Sequence, residues 1–209
     1  MKTKTSVEPR GAARELDQFY TVPAVAEFCV KTLKDYLERS GKVEGLRYVE
    51  PSAGAGVFLD YLPQDSEGLD LDPKDARVRQ CDFMEWEPAV GGGWVVVGNP
   101  PFGKNASLAL KFINRSAKFA EVIGFILPRT FKKRSQADKV DKALHLVLSV
   151  DLPADAFEHE GRPADVPCCF QIWERQEARR QERPKEATTH ADFEWCKRDE
   201  GADFAIRRV

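Results

Sequence analysis

Apolar residues fall into two patterns along this chain. Short, nearly unbroken runs read as buried strands: "LRYVE" (46–50), "EGLDLDP" (67–73), "VRQCDF" (78–83), Trp94 to Val97, "EVIGFILP" (121–128), "LHLVLSVDLP" (144–153) and "PCCFQIWE" (167–174). Elsewhere apolar residues recur every three or four positions, the signature of a helix with one buried face. The clearest case is Pro23 to Leu37, which carries Val25, Phe28, Cys29, Thr32, Leu33 and Tyr36 on that spacing. It starts with proline, whose missing N–H is harmless in a first turn. Further helices are predicted over "VFLDYL" (57–62), over a face of Ala109, Phe112, Ile113, Ser116 and Ala117, and over Ser135 to Leu144. Unbroken runs are expected where both faces of a sheet are covered. Strands alternating with helices therefore predict an α/β fold, a parallel-rich sheet with helices on both faces.

The ends lack this periodicity. Residues 1–17 are polar and are expected to be a flexible segment ahead of a domain spanning 18–175. From Arg175, "RQEARRQERPKEATTH" is charged without an apolar period and reads as a linker or solvated helix. In 191–209 a short element is expected, with a hairpin across Glu200 and Gly201.

Composition narrows the function. A chain of 209 residues with 42% hydrophobic and 32% charged residues is one soluble domain with a well-solvated surface. Its net charge of -2 gives no overall attraction to nucleic acid, so a polyanion site must be a local basic patch. The five cysteines, Cys29, Cys81, Cys168, Cys169 and Cys196, form no C-x-x-C pair, which argues for reduced buried thiols over zinc or disulfides. His145, His159 and His190 are scattered, read as structural or surface residues, and no metal is expected. No apolar run reaches the roughly 18 residues of a membrane span, and the N-terminus lacks the apolar centre of a secretory signal. A cytoplasmic setting is expected, or a nuclear one in a eukaryote.

Two turns carry the candidate chemistry. "VEPSAGAGVFL" places Gly54 and Gly56 between the first strand and the next segment, where glycine permits a tight turn and close approach of a ligand to the backbone. Asp70 and Asp82 stand at the ends of the next two strands, where a carboxylate can accept hydrogen bonds from a ribose or an amine. Together they predict a nucleoside cleft along the sheet's carboxyl edge. A dinucleotide competes for such a cleft, but Leu59 occupies the place of a third glycine and Glu50 would repel a pyrophosphate. Glu50 suits a cationic ligand, and S-adenosylmethionine has both an adenosine and cationic groups.

The second turn is "GNPPF" at the end of the Trp94–Val97 strand. Pro100 and Pro101 have fixed φ and no N–H, so they stiffen the corner. Asn99 and the Pro100 carbonyl can then converge as two acceptors on one NH2 group, with the Phe102 ring stacked on the flat molecule that carries it. Accepting both hydrogens of a conjugated amine localises its lone pair, and alignment with a sulfonium methyl completes the requirement for transfer. The bland alternative is a corner that stops a strand while Asn99 caps the following helix.

At these residues the chain resembles the S-adenosylmethionine-dependent amino-methyltransferases, in particular the class that methylates adenine N6, over about residues 17–175. The resemblance implies a Rossmann-like seven-stranded sheet with its last strand antiparallel. In "QFYTVP" it implies that Tyr20, Thr21 and Pro23 close over the methionine part of the cofactor. In "EPSAGAGVFL" it turns Glu50, Pro51, Ala53 and Gly54 towards the cofactor. It makes Asp70, with Leu71 beside it, the ribose ligand, Asp82 the partner of the cofactor's adenine amine with Phe83 against the ring, and Asn99 to Phe102 the catalytic tetrad.

The substrate is less determined. "RTFKKR" puts Arg129, Lys132 and Lys133 beside a strand end, where they could hold a nucleic-acid backbone, and "NPPFGKN", with Lys104, resembles RNA adenine methyltransferases. Phe157 occupies the family's position for an aromatic face offered to a flipped base, with Phe131 as the alternative stacker. The family's large DNA enzymes carry an extra recognition domain, whereas only about 34 residues follow Arg175 here. A partner subunit, a missing recognition domain or the shape of an RNA must then supply specificity. A protein glutamine, a small-molecule amine and a non-catalytic nucleic-acid-binding role stay open as alternatives.

Overall fold

The computed structural model describes residues 20–89, 91, 93–159, 162–182 and 184, together with 191, 192, 194–197, 200, 201, 203 and 204. The expected N-terminal segment 1–17 and His190 lie outside the described residues. In chain order the elements are β1 (Tyr20–Thr21), α1 (Pro23–Arg39), β2 (Leu46–Glu50), β3 (Glu67–Asp70), β4 (Val78–Gln80), β5 (Gly93–Gly98) and α2 (Ser107–Ser116). They continue with β6 (Ala120–Pro128), α3 (Arg134–Ala137), β7 (Leu144–Asp151), β8 (Phe157–His159), β9 (Arg162–Ala164) and β10 (Cys168–Arg175).

Seven strands, all expected from their apolar runs, form one sheet in the order β4-β3-β2-β5-β6-β10-β7. From β4 to β6 the pairing is parallel. The last strand, β10, is antiparallel between β6 and β7, with Cys169 opposite Leu127 on one side and Asp151 on the other. This is the Rossmann-like seven-stranded sheet. Within β5, Trp94 and Val96 join the core layer of Ala109, Phe112 and Ile113 from α2, while Val95 and Val97 join the layer of Cys29 and Leu33 from α1. Both faces being covered explains why β5 reads as an unbroken apolar run.

Four expectations need correction. α1 buries Val25, Ala26, Cys29, Val30, Leu33 and Leu37, which rotates its buried face from the predicted one and leaves Phe28 exposed. Residues 54–61 form a series of turns instead of a helix, with Gly56 N donating to Ala53 O and Tyr61 N to Phe58 O. The helix expected over 135–144 is the single turn α3. Finally, residues 176–182 contain no helix and pack back on the domain. Gln176 N donates to Ala143 O at 2.9 Å and Arg180 N to Lys142 O at 2.8 Å. The Arg180 guanidinium lies 5.4 Å from the Trp173 ring centroid and donates to the carbonyl of Val140. Described residues between 191 and 204 include no strand, and the rest of the expected hairpin lies outside the described residues.

A small second sheet, β1-β8-β9, has no counterpart among the sequence expectations; it pairs Thr21 with Phe157, and Phe157 with Ala164. Cys29, Cys168 and Cys169 are buried free thiols. Burial pushes Cys168 up to about 12 and Cys169 to about 11, so both stay protonated and unreactive near neutral pH. No described helix is long and apolar enough to cross a membrane.

Candidate functional site

From β2 the chain steps outwards to β3 and β4, then returns to β5 on the other side of β2. The loops after β2 and β5 therefore diverge and open a crevice beyond the carboxyl ends of the strands, the place where open α/β sheets bind ligands. A cavity of about 610 Å³ lies there. Its walls are β1, the turn after β2, the ends of β3 and β4, the Asn99–Phe102 corner, and Leu108 and Phe112 of α2. This volume falls in the usual range for small-molecule sites.

The glycine turn is built around one carboxylate. Gly54 and Gly56 take φ values of +50° and +77°, which L side chains rarely adopt. Gly54 N donates to Asp70 Oδ2 at 2.7 Å and Asp72 N to Asp70 Oδ1 at 2.8 Å. Both oxygens are thereby fixed, and each retains a lone pair for a ligand hydroxyl. Asp82 is held in the same way, its Oδ1 accepting from Met84 N at 2.8 Å. Phe83 beside it is buried, stacked on Phe112 at 5.3 Å between ring centroids and on Trp86 at 6.2 Å, so its position is set by the aromatic core.

Glu50 ends β2 on the cavity wall at 2% exposure, and its Oε2 has no hydrogen-bond partner among the described residues. Burial, and then the nearby Asp70 and Asp60, hold its carboxyl well above the usual range. Gly98 makes room for this side chain: a Cβ there would lie 3.1 Å from Glu50 Cγ. Among the described residues, the cavity wall carries the carboxyl groups of Glu50, Asp60, Asp70, Asp72 and Asp82 against one cation, Lys74. Lys74 is paired with Asp72 at 2.6 Å, and Asp60 with Arg77 at 2.8 Å. A wall of this charge favours a cationic ligand.

The diproline corner faces the glycine turn. Ser52 Oγ donates to Asn99 O at 3.1 Å, and Asn99 Nδ2 donates to Thr21 Oγ1 at 3.2 Å. Phe102 is partly buried against both core layers, and its carbonyl accepts from Leu108 N at 3.0 Å at the start of α2. Asn99 does not cap that helix; the residue before α2 is Ala106, in the left-handed region at φ +60°. Asn105 shares that strained conformation at φ +55°, of a kind concentrated near functional sites.

Most of the expected site residues meet at this cavity: Tyr20, Thr21, Glu50, Pro51, Ala53, Gly54, Asp70, Leu71, Asp82, Phe83 and Asn99 to Phe102. Pro23 stands just outside, in the first turn of α1. Lys104, Arg129, Lys132 and Lys133 are exposed and line no part of it. Asp151 lies 3.7 Å from Arg129 and 2.8 Å from Lys132. The suggested base stackers Phe131 and Phe157 are both 0% exposed, one in each core layer. Their rings are closed to any ligand in this structure, which corrects the expectation. Sequence reasoning missed Ser52, Asp60, Asp72, Lys74, Met84 and Phe112 on the wall. Among the described residues, no cluster of three His, Cys, Asp or Glu side chains could hold a metal ion.

No protein-family model matches the sequence, and no curated protein matches it. Solved structures do match the fold. A Pyrococcus horikoshii protein assigned as an RNA methyltransferase, PH1948, superposes with a TM-score of 0.57 at 15% identity, over 77% of this chain and 87% of that one. A Listeria monocytogenes protein assigned as a class I S-adenosylmethionine-dependent methyltransferase gives 0.56 at 16% identity, over 79% and 63%. The 23S rRNA methyltransferase ErmE gives 0.52 at 16% identity, over 78% and 72%. This chain has the fold of the S-adenosylmethionine-dependent methyltransferases.

Proposed function

We propose that this protein transfers a methyl group from S-adenosylmethionine to an exocyclic amine, adenine N6 in DNA or RNA. The observation that carries this reading is the Asn99-Pro100-Pro101-Phe102 corner standing on the same acidic switch-point cavity as Glu50, Asp70 and Asp82. The wall fits the cofactor. Asp70 accepts the ribose hydroxyls, Asp82 accepts the adenine amine, and Glu50, buried with an unsatisfied oxygen, takes the ammonium. Tyr20 and Thr21 close the methionine end. When bound, the cofactor supplies a methyl carbon activated by its positive sulfur.

The chain's own contribution is orientation. Asn99 Oδ1 and the Pro100 carbonyl accept the two N6 hydrogens, so the nitrogen lone pair is drawn out of the ring and turned to the methyl carbon. Phe102 stacks on the base, a contact of roughly 1–3 kcal/mol. As the N–C bond forms the C–S bond breaks, and the extra proton on nitrogen passes to solvent. Exposed Lys104, Arg129, Lys132 and Lys133 supply backbone contacts, with specificity from RNA shape, a partner subunit or a recognition domain elsewhere. A smaller amine, such as a protein glutamine amide, is the second reading; it is favoured by Asp151, which already offsets Arg129 and Lys132.

The test is methyl transfer from tritiated cofactor to separate DNA and RNA pools by the wild type and by Asn99→Ala. Label in a wild-type pool and none with the variant, whose cofactor binding heat is retained, is the expected result. Equal turnover by the variant refutes the role of Asn99, and no cofactor heat with either protein removes the reading.

A further inference from the structure

β1 is two residues long, yet it brings a buried hydroxyl to the diproline corner. Thr21 is 7% exposed, lies opposite the fully buried Phe157 in the β1–β8 register, and accepts from Asn99 Nδ2 at 3.2 Å. The next residue, Val22, donates its N–H to Ala156 O at 3.1 Å. Strand pairing thus fixes the Thr21 backbone beside the Asn99 corner, and its β-branched side chain has few rotamers to choose from.

Asn99 needs such a fixture. A side-chain amide has an acceptor on one branch and a donor on the other, and its terminal torsion is broad and roughly two-fold. Turned the wrong way, it would present its NH2 to the amine it must accept from. We infer that Thr21 is a positioning residue for methyl transfer: its Oγ1 engages Asn99 Nδ2 and so keeps Oδ1 as the branch that accepts from the target nitrogen. This rests on the reading of Asn99 given above. A hydroxyl accepts from Asn99 only while its own hydrogen points elsewhere. Thr21 also lies on the cavity wall, so an acceptor on the bound ligand takes that hydrogen, and occupancy then favours the productive amide.

The test compares Thr21→Val, nearly isosteric without the oxygen, with Thr21→Ser, which keeps it; unchanged melting shows that both fold. One readout is the Asn99 side-chain amide signal in nitrogen-correlated NMR with S-adenosylhomocysteine bound, identified by its absence in Asn99→Ala. It moves in Thr21→Val and returns in Thr21→Ser. The other is turnover at saturating cofactor. For Thr21→Val, kcat falls about ten- to a hundredfold, the scale expected for a misplaced reacting group, and Thr21→Ser recovers most of it. An unmoved amide signal, undiminished kcat with only weaker cofactor binding, or a serine variant as impaired as the valine one overturns the inference. Should the wild type transfer no methyl group at all, the reading of Asn99 fails instead, and the amide signal alone decides the positioning.

Discussion

Replacing Glu50 by glutamine should make the protein more stable and less able to bind its ligand. Glu50 is 2% exposed with Oε2 unsatisfied, and burial together with Asp70 and Asp60 raises its carboxyl well above the usual range. In the unfolded chain the same group ionises at its ordinary value. Between the two values the folded state holds more protons than the unfolded one, so stability falls as pH rises through that window. Glu50→Gln removes the titration while keeping the volume. A buried unsatisfied group costs about 1–3 kcal/mol, and more when charged. Glutamine leaves a polar group at that place but removes its charge, and sparing the charged part of that cost at pH 8 should raise the melting temperature by about 2–12 °C for a chain of this size. Losing a hydrogen bond to a charged group, worth about 1.5–3 kcal/mol, should weaken S-adenosylmethionine about ten- to a hundredfold. Ligand-free melts at pH 5 and 8, with calorimetric titration of cofactor at pH 8, read both effects. A variant that melts no higher than wild type at pH 8 and binds cofactor equally well would refute this role for Glu50.

Other residues give independent checks. Gly98→Ala places a Cβ 3.1 Å from Glu50 Cγ at φ +148°; strain of about 1–3 kcal/mol should lower the melting temperature and disturb Asn99 beside it, and an unchanged melt together with unchanged turnover would speak against this packing. Phe157→Ala should cost about 3–5 kcal/mol of stability, whereas a base stacker would show weaker substrate binding at an unchanged melting temperature. The double charge reversal Lys104→Glu, Lys133→Glu should weaken nucleic-acid binding and lower its salt slope by roughly 2, with cofactor binding intact; an unchanged slope would place the polyanion elsewhere.

What was legible depended on how local its cause is. β5 and β6 announce themselves because almost every residue in them is buried by helices on both faces or by neighbouring strands. The glycine turn and the Asn99 corner were legible because backbone demands restrict which residues can stand there. β1, β8 and β9 left no trace, since strands of two or three residues are defined by partners more than a hundred positions away in the case of β1 and β8. α1 carries apolar residues on overlapping stripes, so spacing alone could not place Phe28 outside and Val30 inside. Asp60 and Asp72 are charged turn residues in sequence, and only the parallel pairing of β2 with β3 brings the segments that follow those strands onto one wall. Phe131 and Phe157 show the converse: an aromatic residue in a charged or irregular stretch suggested a ligand, and the core claimed both.

The most direct measurement is the position of the transferred methyl group. After incubation of the protein with S-adenosylmethionine and unmodified DNA or RNA, digestion to nucleosides and mass spectrometry should find N6-methyladenine nucleosides with the wild type and none with Asn99→Ala. A methyl group on a ring carbon or on a phosphate or sugar oxygen, or the same yield from both proteins, would contradict an amine held by the Asn99 corner.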